Sequence, residues 1–155
     1  MLIMLKKIFQ KTIFWLKAAR LYSAPITLLS WLVIFVFALK QGGNILAGII
    51  SLFGISIVHL ATNLIDDYID YKDLQKDDKF ITAGRDCKCA YIRSGEATTK
   101  DLRNVIIIFL SIAAFCGGIL FFLSGPAVFW LALIALFIAL SYPHLSSRGL
   151  GDIAV

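Results

Sequence analysis

Residues 45–65 form an apolar run of 21 residues without a formal charge, and the run breaks directly into Asp66-Asp67-Tyr68-Ile69-Asp70. A charge-free run of that length restricts the chain severely. A bilayer core takes ~20 helical residues, whereas a helix of a small soluble domain shows water at least one polar face. Further runs repeat the pattern: residues 105–123 give 19 uncharged positions, residues 126–140 give 15 and continue through Ser141-Tyr142, and residues 25–39 are apolar except for Thr27 and Ser30. Composition agrees, with 59% hydrophobic residues and a mean hydropathy of +0.84, outside the range of ordinary soluble domains. The expected fold class is all-α, a multi-pass transmembrane helix bundle with about four spans at residues 21–40, 45–65, 105–123 and 126–142.

Charge placement predicts the orientation. Lys6, Lys7, Lys11, Lys17 and Arg20 precede the first span. Lys72, Lys76, Lys79, Arg85, Lys88, Arg93, Lys100 and Arg103 lie between the second and third, and Arg148 follows the fourth. Only Lys40 falls on the opposite side, so the N-terminus and both long polar segments are expected in the cytoplasm, with the chain in the cell (inner) membrane. The net charge of +5 then reads as a topology signal and contact with anionic lipid, not as nucleic-acid binding.

The remaining segments follow from these spans. Residues 1–20 read as a basic amphipathic helix, with Leu5, Phe9, Ile13 and Leu16 toward lipid and Lys7 and Lys11 in water. Their charges are spread throughout, with no compact apolar core before a small-residue cleavage site, which argues against a signal peptide. Gln41-Gly42-Gly43-Asn44 suits a short turn. Residues 66–104 are expected as a cytoplasmic loop capping the bundle mouth, ending where Thr98 or Thr99 caps a helix with Asp101 in its first turn. Gly117-Gly118 permits close helix packing, and Gly125-Pro126 a tight turn. Cys116 reads as a packing residue, and Cys87 and Cys89 as reduced thiols whose C-x-C spacing is a weak metal signal. Residues 143–155 read as a loop and the start of a fifth helix, so a single, incomplete membrane domain is expected.

On a helix Asn63, Asp66 and Asp70 share one face, and His59 extends that stripe back into the apolar run. Uncompensated carboxylates at that depth are costly, so such a row is expected to meet a cation or water. Mg²⁺ suits these residues: it prefers oxygen ligands and is held by one or two carboxylates plus substrate phosphates. Asp67 and Asp70 are the expected ligands, with Asp66 and Asn63 as close support and Asp77 reaching a second ion. Arg93 and Arg148 are candidate diphosphate clamps, since guanidinium pairs bidentately with phosphate oxygens. Plainer readings stand beside these: Asp73, Asp77 and Asp78 as solvated loop acids, His59 as a hydrogen-bonded interior histidine, Tyr142 and His144 as interfacial anchors, and Arg93 as a topology charge.

Four stretches together resemble the UbiA-type membrane prenyltransferases, in the branch similar to 1,4-dihydroxy-2-naphthoate polyprenyltransferase. Ala19-Arg20-Leu21-Tyr22-Ser23-Ala24-Pro25 is similar to that family's approach to its first span. Asn63-Leu64-Ile65-Asp66-Asp67-Tyr68-Ile69-Asp70-Tyr71-Lys72 resembles its first aspartate-rich motif, N-D-x-x-D, with Asp66 where the family has Asn and Asp67 and Asp70 at the acidic positions. Ile92-Arg93-Ser94-Gly95-Glu96-Ala97 resembles the S-G stretch before the third helix, and Arg148-Gly149-Leu150-Gly151-Asp152-Ile153 the G-L-G-[DE] opening of the fifth. The resemblance implies Mg²⁺-dependent transfer of a polyprenyl group from an isoprenyl diphosphate to an aromatic acceptor in quinone biosynthesis. Residue chemistry and resemblance together give the expected site: Asp67 and Asp70 as catalytic residues, Asn63, Asp66, Arg93, Arg148 and Tyr142 for substrate, and Asp66, Asp67, Asp70 and Asp77 for metal. The family has nine spans and a second aspartate motif on its sixth helix, so the chain is expected to correspond to the N-terminal half. Two other readings use the same residues. One is a non-catalytic four-span protein that binds prenyl diphosphate or a partner half, and the other a membrane carrier whose acids line an ion or small-molecule path.

Overall fold

A computed structural model describes residues 2–74 and 89–147, with side chains described over 5–73, 89–138 and at Ser141. Every element among these residues is a helix, joined by short turns, with no strand among them. Helix α1 runs from Leu2 to Ala18, and a single 3-10 turn at Leu21–Ser23 leads into α2 (Ala24–Lys40). Helix α3 spans Ile45–Leu74, the short α4 spans Ala90–Arg93, and the long α5 and α6 cover Thr99–Ser124 and Ala127–Ser147.

Three segments, Leu21–Lys40, Ile45–Asp73 and Thr99–Ser124, are long and apolar enough to cross a membrane, and α6 adds a shorter apolar stretch at Ala127–Ile138. Large apolar side chains stay uncovered along α2 and the outer faces of α5 and α6, among them Val33, Phe37, Phe115, Phe122 and Phe137. Such surface is stable only against hydrocarbon or further protein, and the architecture is that of a multi-pass helical membrane bundle.

Helix α3 is the axis: α5 packs along it most extensively, and α2 more lightly. Close approach occurs where small residues allow it. A Cβ on Gly54 would stand 3.2 Å from the Cβ of Cys116 on α5, which fixes the α3–α5 crossing and explains why Cys116 is buried. Gly48 faces the ring of Phe35, where any Cβ would collide. Gly117 and Gly118, expected at a contact, have no atom within 4 Å of a built Cβ. Polar side chains staple α2 to α3: Trp31 donates its indole N–H to Ser51 Oγ at 3.0 Å, and His59 lies between Ser23 Oγ at 2.7 Å and Thr27 Oγ1 at 3.1 Å. The expectation of an interior hydrogen-bonded histidine is met.

The core proper sits at one end of the bundle, where Trp15, Ala19, Leu60, Leu64, Ile92, Ala97, Leu102 and Ile106 come together. Helix α1 reaches it through its C-terminal half, while Leu5, Ile8, Phe9 and Ile13 remain uncovered. The polar segment expected as a loop opens as helix, because α3 continues unbroken past the acids to Leu74. Helix α5 starts where its chemistry directs. The Thr98 hydroxyl accepts from the Asp101 N–H at 3.1 Å, and the Asp101 carboxylate accepts from the Thr98 N–H at 3.1 Å. This reciprocal capping box satisfies two otherwise orphaned donors.

Candidate functional site

The helical continuation of α3 brings three acids to the same end of the bundle as the core, and all are buried: Asp66 is 3% exposed, Asp67 0% and Asp70 6%. Acids are almost never so fully enclosed without compensation. Much of the compensation for two of them comes from Arg20. Its guanidinium reaches Asp66 Oδ2 through Nη1 at 3.3 Å and Asp67 Oδ1 through Nη2. Burial acts against the arginine's charge, but Asp67 and Asp66 outweigh it and raise its pKa above the ordinary value.

The chain is bent to place this arginine. Arg20 has φ 55° and ψ 49°, the only positive φ outside glycine among the described residues. A left-handed residue suits the stop of a helix, and glycine or asparagine usually fills such a position. Here the side chain is kept and anchored. Asn63 supports the same corner, donating its amide N–H to Ala19 O at 2.9 Å and to Ser23 Oγ at 3.3 Å. The predicted substrate-binding Asn63 thus caps the end of α1 in this structure.

A second wall comes from the other side of the sequence. Tyr91 on α4 donates its hydroxyl to Asp67 Oδ2 at 3.0 Å, and the buried Cys89 thiol points to Asp67 O at 3.2 Å. Burial, and then the neighbouring Asp67, push the Tyr91 phenol above its usual pKa, so it remains a donor. Phe14, Trp15 and Tyr91 meet edge to face in a three-ring cluster, which ties α1 and α4 together behind the carboxylates. Arg93 ends α4 and is exposed. Tyr142 lies on the backbone of α6, with its side chain outside the described residues, as are Asp77 and Arg148 altogether.

Among the described residues no three or more His, Cys, Asp or Glu side chains gather as a ready-made metal cage. The donor set nevertheless suits Mg²⁺ in the way that ion is commonly held. Asp66 and Asp67 already converge on one cation, and a small number of carboxylates suffices when substrate phosphates complete the shell. Arg20 stands where a competing cation would be wanted. In the sequence Arg20 stands out only as a topology charge and as part of the approach to the first span, and Tyr91 does not stand out at all. Neither lies near the acids in sequence, being 47 and 24 residues from Asp67.

Known protein families, curated proteins and solved structures were all compared with this chain, and none matches it.

Proposed function

We propose that this membrane protein binds an isoprenyl diphosphate through Mg²⁺ at Asp66, Asp67 and Asp70, and that the site serves transfer of the prenyl group to an aromatic acceptor in quinone biosynthesis. The observation that carries the reading is the enclosure of three carboxylates on one helix at the end of an apolar bundle, with a cation drawn onto two of them. Diphosphate with its metal belongs at such a place, and an isoprenyl tail belongs among lipid-facing helices. The sequence resemblance adds the reaction type. The positive-inside distribution of the basic residues supports a site on the cytoplasmic side of the cell membrane.

In the transfer, the allylic C–O bond breaks and its electron pair leaves with the diphosphate. A C–C bond forms to the aromatic ring, which gives up a ring proton. Bound Mg²⁺ would supply charge neutralisation for the departing diphosphate. Asp66, Asp67 and Asp70 would hold it, and Arg20, released from the pair, can turn its fork of donors to phosphate oxygens. Tyr91 keeps Asp67 oriented throughout through its hydroxyl.

The test is Mg²⁺-dependent binding and turnover of labelled isoprenyl diphosphate with dihydroxynaphthoate in proteoliposomes. Asp70→Asn and Asp67→Asn should each lower both by about two orders of magnitude, the scale of losing a principal charge contact. Full activity in both variants would remove the site assignment. Binding without turnover would select the non-catalytic reading of the same site.

A further inference from the structure

Helix α1 meets the α4–α5 junction around a cavity of about 250 Å³ that the chemistry above does not use. Lys11, Phe14 and Trp15 line it from α1, and Glu96, Ala97 and Asp101 from the junction. The cation thus comes from one element and both acids from the other, and none of the three makes an ion pair among the described residues. Lys11 and Trp15 stand four residues apart on one face of α1. Trp15 is 6% exposed, and its buried indole N–H has no acceptor among the described residues. A buried donor left unmet carries its full desolvation cost, so an acceptor is wanted there. On the junction side each acid keeps one oxygen open. Asp101 uses Oδ2 for the Thr98 cap, and Glu96 uses Oε1 for the Ser94 hydroxyl. Asp101 Oδ1 and Glu96 Oε2 accept no hydrogen bond among the described residues. Phe14 and Ala97 add only apolar surface.

We infer that this cavity binds the headgroup of a phosphoethanolamine lipid, its phosphate on Lys11 and the Trp15 N–H and its ammonium on Glu96 and Asp101. A simple anion would meet two carboxylates there, and a simple cation would meet Lys11. A zwitterion with phosphate at one end and ammonium at the other satisfies both sides. A primary ammonium brings three N–H donors to the two acids, whereas the trimethylammonium of a choline headgroup brings none. The volume is below that of a drug-sized site and suits a headgroup whose tails lie outside. Helix α1 supplies the reason for a lipid in place of a free zwitterion: Leu5, Phe9 and Ile13 are uncovered at steps of four along it, which places this helix at the boundary between headgroups and acyl chains. The inference is independent of the proposed transfer, since none of its residues holds metal or diphosphate.

The test is native mass spectrometry of the purified full chain in uncharged detergent, titrated with dioleoyl phosphatidylethanolamine, phosphatidylcholine or phosphatidylglycerol. The ethanolamine lipid should bind about tenfold more tightly than either of the others, the scale of one charge-assisted hydrogen bond. Glu96→Gln and Lys11→Gln should each remove that preference, and Lys11→Arg should restore it in part. Trp15→Phe, which keeps a ring and deletes the N–H, should weaken ethanolamine lipid binding several-fold. Circular dichroism checks that each variant is folded, and if Trp15→Phe is not, the variants of the exposed Lys11 and Glu96 decide. Equal binding of ethanolamine and choline lipids would overturn the inference. A preference for phosphatidylglycerol that needs Lys11 but not Glu96 would also overturn it, identifying a plain anionic-lipid contact of the basic helix. Glycerophosphoethanolamine binding as tightly as the whole lipid would overturn the choice of a lipid and identify a soluble zwitterion as the occupant. Prenyl diphosphate binding, measured separately with Mg²⁺, should be unchanged in Lys11→Gln and Glu96→Gln; its absence from wild type would refute the proposed function and leave the headgroup site standing.

Discussion

Removing Arg20 should expose what its two ion pairs and its backbone conformation each contribute. In Arg20→Ala the buried Asp66 and Asp67 lose the cation they share, while Tyr91 still donates to Asp67. Breaking a buried pair by deleting one partner costs ~3–5 kcal/mol, since a charge is left uncompensated. The 20% exposure of the Arg20 side chain admits some water, which places the loss toward the lower end, about 3 kcal/mol. Alanine also keeps the penalty of a left-handed residue, ~1–2 kcal/mol, which glycine does not have. Arg20→Gly should therefore be about 1 kcal/mol more stable than Arg20→Ala, although it loses the same ion pairs. The assay is reversible unfolding in mixed micelles by denaturant, with Asp67→Asn added to close a double-mutant cycle. A coupling energy of several kcal/mol between positions 20 and 67 is expected. A loss below about 1 kcal/mol in Arg20→Ala would refute the view that this pair holds the corner together, because exposed pairs contribute no more than that.

Two further outcomes follow from the packing. Tyr91 has a folded-state pKa raised above its free value, so its contribution to stability is fully present below about pH 10 and is lost as pH rises toward the folded pKa. In alkaline unfolding series, Tyr91→Phe should be less stable than wild type at neutral pH and lose less as pH rises above 10; parallel curves would contradict the buried phenol–carboxylate contact. At the α3–α5 crossing, Gly54→Val should lower thermal stability by ~1–3 kcal/mol through overpacking against Cys116. Gly118→Ala, with open space around it, should be neutral or stabilising by up to ~1 kcal/mol from helix propensity. Equal effects at the two glycines in calorimetry would show that the crossing lies elsewhere.

The sequence by itself determined that this is a helical membrane protein, because apolar runs of spanning length have few other stable fates. It also marked the start of α5, where capping depends on residues three apart, and the shared face of Asn63, Asp66 and Asp70, where helical periodicity is local. Tertiary structure alone decided what the acids meet. Arg20 becomes their counter-ion because α1 turns at a left-handed residue and packs Trp15 and Ala19 against Leu60 and Leu64. Tyr91 and Cys89 reach Asp67 only because α4 folds back over α3. The same holds for packing: Gly54 rather than Gly117-Gly118 marks the crossing, since a small residue permits contact but the placement of the helices selects where it occurs. Periodicity and capping act over a few residues and can be read directly. Ion pairing and close approach depend on distances set by the whole bundle.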